Sequence, residues 1–91
     1  MEVYFKPGFI KDFKKLPSDI QGEVRSICTE IFPKLPSIRD FHTHPLKPLR
    51  GFKNYFRIKL GDYRLGLKLR NDNGIEFMRV KHRRDIYRHF P

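Results

Sequence analysis

Cationic and aromatic side chains are interleaved through the second half of the chain, in Tyr55-Phe56-Arg57-Ile58-Lys59, in Tyr63-Arg64 and in Val80-Lys81-His82-Arg83-Arg84-Asp85-Ile86-Tyr87. Guanidinium and ammonium groups bind phosphate oxygens and aromatic rings stack on unpaired bases, so the combination points to a polyanion, first of all RNA or DNA. The charge is one-sided. From Lys47 to Pro91 there are 13 Lys and Arg against 4 Asp and Glu, whereas Met1 to Leu46 carries 7 against 6, within a formal net charge of +10. A positive surface concentrated in this way raises the local concentration of a polyanion.

Strands must set these groups on one surface. Tyr55, Arg57 and Lys59 alternate with Phe56, Ile58 and Leu60, and after a turn at Gly61-Asp62, Arg64, Gly66, Lys68 and Arg70 alternate with Tyr63, Leu65, Leu67 and Leu69. Asn71-Asp72-Asn73-Gly74 predicts another turn, leading into a strand from Ile75 to Lys81. Its Phe77, Met78 and Val80 do not alternate cleanly, as expected of a central strand covered on both sides. In the first half, Val3 to Lys6 reads as a short strand ending in a Pro7-Gly8 turn. A helix then begins at Phe9, with Phe9, Ile10, Phe13 and Leu16 as its apolar stripe and Lys11, Asp12, Lys14 and Lys15 in solvent, until Pro17 interrupts it. Ser18 and Gln21 have the spacing of a capping box, opening a second helix with Ile20, Val24, Ile27, Cys28, Ile31 and Phe32 on one side. Pro33 and Pro36 end it, and Pro45 and Pro48 keep the chain irregular until Leu49.

The resulting order is β-α-α-β-β-β. It predicts a single α+β domain over residues 1–91, with a mostly antiparallel sheet, two N-terminal helices on one face and a short C-terminal segment. With the helices on the apolar face, Arg57, Lys59, Arg64 and Lys68 remain on the open one, with Gly66 lowering the floor among them. Lys47, Arg50, Lys81, His82 and Arg84 are expected to join Lys68 in contacting RNA.

Other classes are disfavoured. A 91-residue chain with 38% hydrophobic residues, 9 Phe and 4 Tyr carries enough apolar surface for one small core. No apolar run approaches the roughly 20 residues needed to span a bilayer and no signal-peptide core follows the start, so a cytoplasmic protein is expected. Cys28 has no partner for an internal disulfide and falls on an apolar helical stripe, which suggests a buried neutral thiol. Asp40, His42 and His44 superficially resemble a metal cluster, but alternate-residue histidines in a Pro-rich loop are weak ligand spacing, and no metal or cofactor is expected.

The ordered patterns Leu49-Arg50-Gly51, Tyr55-Phe56-Arg57-Ile58-Lys59, Gly61-Asp62-Tyr63-Arg64-Leu65 and Val80-Lys81-His82-Arg83-Arg84-Asp85-Ile86-Tyr87 resemble the RelE/ParE superfamily of toxins from type II toxin–antitoxin pairs. The resemblance extends over nearly the whole chain. It implies a small RelE-like fold, a cognate antitoxin that neutralises the toxin in a hetero-oligomer, and, for the RelE-like branch, ribosome-dependent, metal-independent cleavage of messenger RNA in the A site. It also implies catalytic positions at Arg57, Lys59, Arg64, Arg83 and Tyr87. The glutamate base used by some related toxins has no match, since Lys47 and Arg50 occupy that neighbourhood.

Cleavage by internal transfer requires the 2′-hydroxyl to lose a proton, the phosphorane to be stabilised and the 5′-oxygen to be protonated as it leaves. Lysine serves as a base where neighbouring like charges favour its neutral form, the setting expected of Lys59 between Arg57 and Arg64. Arg57 and Arg64 would clamp phosphate, Arg83 would stabilise or protonate the leaving oxygen, and Tyr87 would stack on a base or orient the 2′-hydroxyl, unless it is a partly buried core residue. Two other readings stand beside this one. A ParE-like inhibitor of DNA gyrase would not need this constellation, and a non-catalytic nucleic-acid-binding relative would use the cations for affinity alone.

Overall fold

The alternating segments form the centre of a five-stranded sheet in the computed structural model, which describes residues Met1–Pro91. β1 (Val3–Phe5) leads into α1 (Pro7–Phe13) and α2 (Ser18–Ser26), and α2 continues through a π turn at Ile27–Ile31 and a 3₁₀ turn at Phe32–Lys34. β2 (Leu46–Pro48), β3 (Tyr55–Leu60), β4 (Tyr63–Leu69) and β5 (Ile75–His82) follow, and a 3₁₀ turn at Ile86–Arg88 closes the described structure. The strand order is β1-β5-β4-β3-β2, antiparallel throughout except for β1 against β5. No helix is long and apolar enough to cross a membrane.

The main core lies between the helices and one face of the sheet. Phe9, Val24, Ile27, Cys28 and Phe32 meet Ile58, Leu65, Leu67, Ile75, Phe77 and Val80 there, all buried. Phe77 is its centre, edge-on to Phe32 at 5.4 Å and tilted against Phe9 at 5.9 Å. Phe77→Ala would remove those contacts and leave a cavity, at a cost of about 3–5 kcal/mol.

Several expectations are corrected. Pro7 opens α1 instead of a turn, because a proline at the first helical position gives up an N–H that has no helical partner. Ser18 does not cap α2: Pro17 precedes the first helical residue, and the Gln21 Nε2 donates to the Phe13 carbonyl at 2.9 Å, stitching α2 to the end of α1. Pro45 and Pro48 do not exclude a strand. β2 is a sheet edge, where a proline needs no inward donor, and it is held by the Lys59 N–H on Pro45 O (3.0 Å) and the Leu49 N–H on Tyr55 O (2.8 Å). The irregularity of β5 is a bulge: Gly66 pairs with Arg79 and Leu67 with Phe77, so Met78 is the extra residue. That insertion lets Phe77 and Val80 share the main core while Met78 packs on the opposite face.

Asp12 is buried, not solvated. Its carboxylate accepts from Arg79 Nε (2.8 Å), Arg79 Nη2 (3.1 Å) and the Val80 N–H (3.2 Å), and Lys81 Nζ lies 3.2 Å away. It satisfies the backbone of β5 beyond the reach of β1, whose pairing stops at Phe77.

The second face is not fully open. Leu49, Ile86 and Phe90 form a small buried cluster there, with Tyr55 and Met78 packed against it. Gly66 is the seat of the Phe90 ring and not an exposed floor: a Cβ at Gly66 would lie 2.8 Å from three of its ring atoms.

Candidate functional site

Three neighbouring strands build the cationic site. The tight turn at Gly61-Asp62, with Gly61 at φ +59°, sets β3 against β4 so that Lys59 opposes Arg64 and Arg57 opposes Gly66. β2 adds Lys47 opposite Arg57. Directly opposed residues project to the same side of a sheet, so the four cations converge. Lys47, Arg57, Lys59 and Arg64, with Pro45, line a cleft of about 320 Å³ that no carboxylate enters. Each guanidinium offers fork geometry to phosphate oxygens, and the ammonium groups add rotatable donors.

The members differ in how they are anchored. Arg64 Nη1 donates to the Gly61 and Tyr63 carbonyls at 2.7 and 3.0 Å, which fixes the guanidinium at the turn and leaves its other nitrogens for an anion. Lys59 is exposed and engages no acidic partner. Arg57 Cζ lies 6.0 Å from the centre of the Tyr87 ring, and Tyr87 is 51% exposed, so it stands at the rim of the cleft and is not a core residue. Arg83 is brought to the same end of the sheet: its N–H donates to Asp62 O at 2.7 Å and its Nε lies 3.7 Å from Asp62 Oδ1. Both of those side chains are well exposed, and such a pair contributes little and opens readily.

The expected RNA contacts divide. Lys47 lies inside the cleft. Lys68 is on the same face, but it sits over Tyr55 at 5.4 Å and is separated from Arg64 along β4 by Gly66 and its Phe90 cover. Lys81 turns to the sheet edge and pairs with Asp12, so it is withdrawn from the cleft. His82 opposes Tyr63, with the rings 5.5 Å apart and edge-on, in a hollow shared with Leu16 and Lys15, and its Nδ1 accepts the Arg84 N–H at 3.2 Å. It caps the end of β5 on the helix side. Arg50 and Arg84 are exposed in turns and do not line the cleft.

Other candidates resolve as ordinary structure. His42 Nδ1 lies 2.8 Å from Asp40 O, while His44 stacks on Phe41 and has Nε2 3.5 Å from Glu23, so the two imidazoles have separate neighbours. Cys28 is buried, and burial pushes its thiol well above the usual range, leaving it neutral. An apolar hollow lined by Phe5, Phe9, Ile10, Phe13 and Cys28 lies on the helix side and offers almost nothing polar to a phosphate. Reasoning from sequence named Lys47 as an RNA contact but missed the strand β2 that makes it a wall of the cleft, and it missed Phe90 as a cover. The Leu46-Lys47 alternation between prolines was the available signal for the first, and Phe90 had none.

The whole chain has counterparts. The family described as ParE toxin of type II toxin-antitoxin system, parDE, matches residues 3–87. Toxin RelE3 of Methanocaldococcus jannaschii is 37% identical over 91 residues, covering 100% of both chains. Among solved structures, a chain of the RelB-RelE antitoxin-toxin complex from Methanococcus jannaschii superposes with a TM-score of 0.78 at 32% identity, over 97% of this chain and 99% of that one. The toxin-antitoxin complex RelBE2 from Mycobacterium tuberculosis gives 0.68 at 26% identity, over 89% and 95%. With a family match over nearly its full length and a relative of this identity end to end, the chain belongs to the RelE/ParE family of type II toxin–antitoxin toxins.

Proposed function

We propose that this protein is the toxin of a type II pair and acts as a ribosome-dependent endoribonuclease that cleaves messenger RNA in the A site and stops translation. The observation that carries the reading is the convergence of Lys47, Arg57, Lys59 and Arg64 in one cleft without a carboxylate, with Tyr87 at its rim. In this scheme Lys59 takes the proton of the 2′-hydroxyl, whose oxygen attacks the adjacent phosphorus. Arg57 and Arg64 hold the phosphate oxygens as charge builds on them, the bond to the 5′-oxygen breaks, and Arg83 steadies that oxygen as it takes up a proton from solvent, to which Lys59 later returns the one it took. Tyr87 stacks against the nucleotide or orients its 2′-hydroxyl. The 5′ fragment then ends in a 2′,3′-cyclic phosphate. A free cleft this open does not orient a flexible RNA by itself, so the ribosome supplies the alignment.

The relatives named above support an antitoxin partner. Its acidic or amphipathic segment would fold on the cationic surface and keep RNA out. The test separates this reading from gyrase inhibition. Induced alone in cells, the protein should arrest growth and stop incorporation of labelled amino acids while plasmid supercoiling persists, and co-expressed antitoxin should restore growth. Loss of supercoiling with intact messenger RNA would transfer the case to the gyrase reading, and normal growth with soluble protein would remove the toxin reading altogether.

A further inference from the structure

The cover on the second face has a geometry of its own. Phe90 is 2% exposed although Arg64 and Lys68, the next residues of β4 on that face, are charged. The ring fits because Gly66 has no side chain, and a Cβ there would collide with it at 2.8 Å. Gly66 is the cross-strand partner of Arg57, so the seat lies directly beside the arginine that faces Tyr87. Tyr87 itself is half exposed, and its hydroxyl makes no hydrogen bond within the chain.

What holds Tyr87 is therefore the turn that carries it. Asp85 N–H on His82 O (2.8 Å), Arg88 N–H on Asp85 O (3.2 Å) and His89 N–H on Ile86 O (3.0 Å) shape that turn, and Ile86 and Phe90 pin it to Leu49, Tyr55 and Met78. We propose that Phe90, seated on Gly66, is a positioning residue: it clamps the Ile86–Arg88 turn to the sheet and so holds the Tyr87 ring against Arg57 at the rim of the cationic cleft. It touches no substrate and acts only through Tyr87. The cluster holding it contains 3 buried residues and shares none with the 14-residue main core, so it can loosen without unfolding the sheet.

The catalytic side of this inference rests on the ribonuclease reading, so two measurements are paired. In the isolated protein, nuclear Overhauser contacts between the Tyr87 ring and the Arg57 methylenes should be present in the wild type. They should vanish in Phe90→Ala and in Gly66→Ala, the latter by expelling the ring, and return in Phe90→Leu, with main-core resonances unmoved in all three. On ribosomes programmed with messenger RNA, Phe90→Ala should lower the single-turnover cleavage rate about 10- to 100-fold at little change in half-saturating ribosome concentration. Its loss should merge with that of Tyr87→Ala in the double variant instead of adding to it. Contacts that persist in Phe90→Ala, an undiminished cleavage rate, or additive losses would each overturn the proposal. A wild type that makes the contacts but cuts nothing would defeat the ribonuclease reading while the spectra still decide the clamp.

Discussion

Asp12 joins the two halves of the chain through single atoms. Burial alone would raise its carboxyl, but hydrogen bonds from Arg79, the Val80 amide and Lys81, with the Arg79 charge, outweigh that and hold it below the usual carboxylate range. Because its folded value lies below the unfolded one, the stability it contributes is complete above about pH 4 and drains away as pH falls through the lowered value. Asp12→Asn should therefore cost about 3 kcal/mol at neutral pH in urea unfolding, since it strands Arg79 and Lys81 against a neutral amide. The variant should also lack the steep acid limb of the wild-type profile, and parallel profiles for the two proteins would refute this account. Cys28 offers a second residue-scale check: with its thiol raised by burial, it should resist iodoacetamide at pH 8 in the native protein and react at once in denaturant. The burial of Cys28 was legible from its place on an apolar helical stripe, but the role of Asp12 was not. Asp12 sat at a helical position that reads as solvent, and its partners lie 67 to 69 positions along the chain.

The elements differ in how plainly the chain announces them. β3, β4 and α2 were legible because alternation and helical spacing run unbroken for several residues, and the same alternation correctly put Arg57, Lys59 and Arg64 on one face. β2 was not, because Pro45 before it and Pro48 at its end signal irregularity unless one knows that the segment is an edge. The Ile86–Phe90 cover was hidden for a different reason: a three-residue 3₁₀ turn has too little sequence for any period, and the glycine that receives it read as a low point in an open floor. The unequal anchoring has a measurable consequence. The amides of Leu65 and Leu67, deep in the main core, should exchange hydrogen slowest, while those of Arg88 and His89 should exchange through a local opening of much lower free energy. Equal protection of turn and sheet would mean that the two clusters unfold as one.

At the scale of the molecule, the formal charge of +10 is a directional property. The cations that gather in the cleft project from the sheet face away from α1 and α2, and Lys81, which the sequence grouped with them, is drawn to Asp12 at the sheet edge. RNA affinity should accordingly weaken steeply with salt. Lys47→Ala should flatten the slope of log affinity against log salt by about 0.7, as expected for one lost phosphate contact on a single strand, whereas Lys15→Ala, on the helix side, should leave it unchanged. Equal effects of the two substitutions would mean that the charge acts as a diffuse cloud and not through the cleft. The most direct test of the central claim is primer extension across a messenger RNA held on purified ribosomes, with wild-type protein and with Lys59→Ala combined with Arg64→Ala. New ends at the A site that need ribosomes and disappear in the folded double variant are the predicted result. Cutting that survives the double variant, or no cutting by folded wild-type protein, would contradict it.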